Sequence, residues 1–159
     1  MRSTESGFSE RVYLVAAQER FTAASLALTA DTPAYVVASY LAGVAVECLF
    51  HAYRSRLGAD DTGRHDLRVQ AEVAQFYQFV PRKQEAFVQS LVLEVALRWQ
   101  NNHRYRSGAS LKDWVIRNRL HIVEGSTAVR GDVVRFNAER LVDAAGKIVG
   151  IGVINWDNS

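Results

Sequence analysis

The stretch Pro33–Leu57, PAYVVASYLAGVAVECLFHAYRSRL, decides how the chain is read. Its first half is apolar almost all round. That predicts a central, buried helix rather than a surface helix with one wet face. Gly43, flanked by Ala38, Ala42 and Ala45, permits a close approach by a neighbouring element. Glu47, His51 and Arg54 follow at steps of four and three, which puts them on one helix face. A carboxylate in so apolar a helix needs a partner, because burying it unpaired is costly. Two readings of Glu47 stand: a structural ion pair or cap, or a carboxylate that orients an arginine from the basic stretch further on. Cys48 in the same setting reads as a small buried hydrophobe.

Working outward, Ser9 to about Ala30 predicts an amphipathic helix carrying Val12, Val15, Ala16, Phe21 and Leu26. Asp31-Thr32-Pro33 is a stop and restart. On the other side, Gly58–Gly63 (GADDTG) reads as a loop. Asp66 is placed to cap a short helix to about Tyr77. Pro81 begins a helix to about Asn101, with Phe87, Val88, Leu91, Val92, Val95 and Trp99 at helical spacing. Ser110 and Asp113 have the spacing of a capping box opening a helix with Trp114, Val115 and Leu120. Residues 121–131 read either as a hairpin about Glu124-Gly125-Ser126 or as helices broken at Gly125 and Gly131. From Asp132, the residues Val134, Ala138, Leu141, Ala145 and Ile148 form a helical stripe. The tail loses helix character at Gly150 and Gly152, with Ile154 and Trp156 expected to pack back. The sum is an all-α, antiparallel bundle of four or five helices, one domain over residues 1–159. So apolar a second helix suggests cover from a second copy, hence a homodimer.

The whole chain bounds the function classes. It has 159 residues, 48% hydrophobic and 23% charged, with a net charge of +2, ordinary for a globular domain. One cysteine excludes a disulfide framework or a thiolate metal site. Ala34–Phe50 contains Glu47 and falls short of the ~20 apolar residues of a spanning helix, and MRSTESGFSER lacks a signal-peptide core. The expectation is a cytoplasmic protein without a membrane partner. The four histidines are scattered. Glu47 and His51 sit four apart, but Glu94 is the one other obvious carboxylate for a bundle metal, so neither metal nor cofactor is expected. There is no phosphate loop, no strand-led glycine fingerprint and no nucleophile in a recognisable context.

What stands out is Arg98–His121, RWQNNHRYRSGASLKDWVIRNRLH. It holds six basic residues against one acid, Asp113, while the chain as a whole is only +2. Trp99, Tyr105 and Trp114 lie among the charges. Cations interleaved with aromatics hold phosphates and stack bases; the alternative is a solvated, salt-bridged surface. Within it, Arg98 and His103 form a candidate catalytic pair. A neutral histidine, with an ordinary pKa of ~6.5, can take a proton from a 2′-hydroxyl. A guanidinium stabilises the negative charge that builds on phosphorus. Asn101, Asn102, Arg104 and Tyr105 are the candidate substrate-binding groups around them.

The run YLAGVAVECLFHAYRSRLG, then His65-Asp66-Leu67, then RWQNNHRYR resembles the HEPN superfamily, small helical proteins of prokaryotic toxin–antitoxin and defence systems. The resemblance covers roughly residues 10 to 106. Ala45 and Glu47 match the family's Ala-x-Glu, and His65-Asp66-Leu67 its His-Asp-Leu; His51 stands where a lysine is common. Catalytic members carry an Arg, four to six residues, and a His. Arg98 and His103 fit that spacing, although Trp99 replaces the usual polar neighbour. Arg117-Asn118 has the polar neighbour, but His121 follows one residue too soon. Another branch carries an Arg-Tyr pair similar to Arg104-Tyr105 and need not be a nuclease. The resemblance implies a homodimer and either a metal-independent endoribonuclease leaving a 2′,3′-cyclic phosphate or a non-catalytic module. The module would bind RNA, a nucleotide or a partner nucleotidyltransferase. A purely structural role, with the basic surface against an acidic protein, is a third possibility.

Overall fold

The computed structural model describes residues 8–59 and 65–158. Helix α1 (Glu10–Thr29) leads through a tight connection into α2 (Tyr35–Arg56). The two run antiparallel: the backbone N–H of Ala34 donates to Ala27, and at the far end the Tyr13 and His51 rings stack at 5.3 Å. Helix α2 is a continuous 22-residue helix. Its apolar run therefore exceeds what Ala34–Phe50 suggested, and by length and composition it could cross a membrane. Half of its most apolar window is buried inside the bundle. Within the chain, α1 and the last helix pack against it.

The loop expected at Gly58–Gly63 lies mostly outside the described residues. Helix α3 (Leu67–Val73) begins at Asp66, whose side chain accepts from the backbone N–H of Arg68. It is shorter than expected, and the chain continues as a 3-10 turn, Phe76–Phe79. After Pro81, a 3-10 turn over Arg82–Gln84 precedes α4 (Glu85–Arg98). Helix α4 stops at Arg98 because Trp99 adopts extended backbone. A further 3-10 turn, Asn101–Tyr105, leads to α5 (Gly108–Arg117).

The cap of α5 is Ser107, which accepts from the Ser110 N–H at 3.2 Å, and not Ser110 as the capping-box spacing suggested. Ser107 takes the Ser110 N–H, and the Ser110 hydroxyl in turn donates to the Ser107 carbonyl at 3.2 Å, so Ser110 lies inside the helix and is not free to cap it. Leu111, Trp114 and Val115 are buried together. Residues 121–131 resolve as the hairpin: β1 (Ile122–Val123) pairs antiparallel with β2 (Thr127–Ala128) across Glu124-Gly125-Ser126. Helix α6 (Val133–Ile154) starts at its Asp132 cap. It does not lose its character at Gly150 and Gly152. At Gly152 the missing side chain makes room for Leu49, and a Cβ there would lie 2.6 Å from it. Tyr53 Oη donates to the Gly152 carbonyl at 2.6 Å. Trp156 packs back on Tyr53 and Arg56, whereas Ile154 stays exposed.

The fold is thus an all-α bundle of six helices with one small hairpin among the described residues. Helix α6 runs parallel to α2, since Tyr53 meets Gly152 and Arg56 meets Trp156 near both C-terminal ends. It runs antiparallel to α4, where Glu94 meets Arg140 and Arg98 meets Asn137. One core fills the space between α1, α2, α3, α4 and α6. A smaller one holds α5 against the first turns of α2 and α6 through Leu111, Trp114, Val115, Val133 and Val134.

Candidate functional site

Arg98 is buried, 6% exposed. Its Nε donates to Glu94 at 2.8 Å, and its Nη1 donates to the Leu120 carbonyl at 3.1 Å and to Asn137 Oδ1 at 3.0 Å. Glu94 also takes the Nε of Arg140 at 2.6 Å. Burial works to raise the Glu94 carboxyl, but the two guanidinium partners outweigh it and hold its pKa below the usual value. This arginine ties α4 to the hairpin approach and to α6.

His103 lies elsewhere and is fully buried. Its ring meets Trp114 edge-on at 4.4 Å. The Gln100 backbone N–H donates to its Nδ1 at 3.4 Å, while the Gln100 side chain accepts from the His103 N–H, a reciprocal cap on the Asn101–Tyr105 turn. With Nδ1 accepting, the proton sits on Nε2, which is buried with no hydrogen-bond partner. Burial, helped by the Arg106 guanidinium, pushes the imidazole down to about 4. Arg98 and His103 therefore share no partner and neither faces solvent. The spacing that paired them in sequence falls across the end of α4, where Trp99 turns the chain away.

Trp99 and Trp114, expected among the surface aromatics, are buried as well. The Trp99 indole donates to the Tyr40 carbonyl at 3.1 Å and fills the space over Gly43. Glu47 does not meet an arginine of the basic stretch. Its face of α2 turns toward α3, where His65 and Gln70 donate to its Oε1 at 2.6 and 3.1 Å. His65 and Gln70 escaped the reading of site residues, although the His-Asp-Leu signal already marked the first of them.

What remains exposed is Arg104, Tyr105, Lys112, Arg117 and Arg119. Tyr105 is 78% exposed, with the Arg104 guanidinium 4.7 Å from its ring centre. Lys112 and Arg117 lie on the outward face of α5, opposite Leu111, Trp114 and Val115. No carboxylate among the described residues pairs with any of these cations. Asn101 and Asn102 belong to a different place. They line an open cleft of about 610 Å³ between the start of α3 and the end of α4, with His65, Asp66, Arg68 and Gln100. Among the described residues, no three histidine, cysteine or carboxylate side chains gather as a metal site. In comparisons with protein-family models, curated proteins and solved structures, nothing matches the chain.

Proposed function

We propose that this is an RNA-binding protein of HEPN-like type. It takes single strands on the surface formed by the Asn101–Tyr105 turn and the outer face of α5. One observation carries the reading: within a single short stretch, the groups that look catalytic are buried, while Arg104, Tyr105, Lys112, Arg117 and Arg119 are exposed and unneutralised. Exposed cations attract phosphates by displacing counterions. An exposed tyrosine offers a face on which an unpaired base stacks. Single strands suit this surface because their bases are free to leave the backbone and meet that ring.

The endoribonuclease reading built on Arg98 and His103 has less support. A buried imidazole with so low a pKa is a weak base, and the arginine is already bound to Glu94, Leu120 and Asn137. The toxin–antitoxin or defence setting, the homodimer and a nucleotidyltransferase-type partner belong to the same proposal and rest on the resemblance.

Gel retardation of an unstructured oligoribonucleotide tests it. Wild-type protein should bind with an affinity that falls as salt rises. The double variant Arg104→Ala/Tyr105→Ala should bind at least about tenfold more weakly, since losing one stacked base alone removes ~1–3 kcal/mol. Binding that ignores salt, or a double variant that binds like wild type, would overturn the reading.

A further inference from the structure

The cleft between α3 and α4 lies beside the exposed basic surface and differs from it in chemistry. Its floor is apolar, from Leu67, Ala96 and Trp99. The charges at its rim are already matched. Arg68 holds Asp66 through two bonds, Nε to Oδ1 at 3.2 Å and Nη2 to Oδ2 at 3.0 Å, and His65 donates to Glu47 at 2.6 Å. No unpaired cation among the described residues lines it, so the cleft is no place for a phosphate. The groups left over are the side-chain amides of Asn101 and Asn102, which hydrogen-bond to no other described residue. Gln100 is engaged by its own turn, where its side chain accepts from the His103 N–H. An apolar floor with two free amides suits a flat, uncharged ligand that presents a donor beside an acceptor, and the edge of a nucleobase is such a group. The turn also sets the spacing. In a 3-10 turn, residues three apart share a face, about 6 Å from one another. Asn102 therefore shares a face with Tyr105, and Asn101 with Arg104. A base stacked on the Tyr105 ring leaves its neighbour in the strand within reach of the cleft.

We propose that this cleft is a base-reading pocket and that the base it selects is adenine. The inference rests on the RNA-binding reading above and adds a sequence preference to it. An asparagine carbonyl accepts from the 6-amino group of adenine while the amide N–H donates to ring nitrogen N7, the two-bond match that asparagine makes with this base. Guanine is matched instead by a free guanidinium or ammonium. The guanidinium at this cleft, Arg68, is committed to Asp66. Uracil and cytosine have a single ring and cover less of the apolar floor. The phosphates on either side of the selected nucleotide stay outside, on Arg104 and the cations of α5.

Fluorescence anisotropy tests it with labelled short oligoribonucleotides that are all uridine or carry a central adenine, guanine or cytosine among uridines. Wild type should bind the adenine strand at least about fivefold more tightly than the others. Asn101→Ala/Asn102→Ala should bind the strands alike, with the all-uridine affinity and its salt dependence as in wild type, because the phosphate contacts are untouched. Ala96→Leu fills the cleft from α4 without altering the turn and should level the strands in the same way. Retained helical circular dichroism and all-uridine affinity show that each variant is folded. Wild-type protein that binds the strands alike, or prefers another base, would overturn the inference while leaving the binding reading standing. So would a preference that survives in either variant. Adenosine monophosphate that binds as tightly as the adenine strand would assign the cleft to a free nucleotide and overturn it too. Wild-type protein that binds none of the strands would overturn both.

Discussion

Gly43 has no side chain because the Trp99 indole occupies the place where one would be. A Cβ built there lies 2.1 Å from a ring carbon, a distance no rotamer change in so large and buried a ring relieves. Gly43→Ala gains up to ~1 kcal/mol of helix propensity, but the overpacking should win and destabilise the fold by about 3 kcal/mol or more. Urea unfolding of the variant checks this. His103 makes a second prediction. Its folded pKa, about 4, is below its ordinary 6.5, so the unfolded chain binds the proton more readily. Its contribution is complete above the unfolded value and is lost as pH falls toward the folded one, on the order of 3 kcal/mol in all. Glu94, with its lowered carboxyl, acts in the same direction but only below its ordinary 4.5. Between pH 6.5 and 4.5 His103 therefore contributes to the slope and Glu94 does not. Unfolding free energy measured across that window should fall steeply in wild type and flatten in His103→Gln; equal slopes would contradict the assignment. Both residues show what a sequence conceals. Arginine and histidine in a basic stretch announce charge, not burial, and nothing in the spacing of Arg98 and His103 reveals that Trp99 turns the chain between them.

The elements were more legible than their ends. The apolar run of α2 marked it as the buried centre, the three-four stripe marked α6, and Asp66 was visible as a cap. At the start of α5 two serines three residues apart both offer a capping hydroxyl, and the structure uses Ser107 rather than Ser110. At the end of α6, Gly150 and Gly152 look like helix breakers in the sequence, whereas Gly152 is the contact point for Leu49. The C-terminus of α5 carries a feature with a testable consequence. Leu120 N–H donates to the Val115 carbonyl and Arg119 N–H to Ile116, each at 3.0 Å. This closure places the residue after the cap in left-handed backbone, and that residue is Arg119, at φ 58°. Glycine is the residue that adopts this conformation without a Cβ penalty. Arg119→Gly should therefore raise stability by about 0.5 kcal/mol or more, while weakening RNA binding through the loss of one exposed cation. Thermal unfolding and retardation on the same preparation read both effects; a variant that is destabilised and binds as before would contradict the account of this turn.

For the whole molecule, the bundle pairs some of its cations and leaves others unpaired. Arg98 and Arg140 share Glu94, and Arg68, Arg135 and Lys147 have carboxylate partners on their own elements. The cations of the Asn101–Tyr105 turn and of α5 have none among the described residues. A net charge of +2 conceals this, because it sums paired and unpaired groups alike. The all-α class could be read directly, since helical periodicity and scarce breakers are local signals. The site could be read only as a region: which cations face outward depends on how α4, α5 and the hairpin pack, and that is a property of the folded chain. The cleft at His65 arises in the same way, from α2, α3 and α4 meeting. The central claim is that RNA lies on the exposed basic turn and α5. Ultraviolet cross-linking of wild-type protein to a uridine-rich oligoribonucleotide, with the adduct residues identified by mass spectrometry, tests it most directly. The account predicts adducts at Tyr105 that disappear as salt is raised. No adduct, or adducts confined to residues outside Arg98–His121, would contradict it.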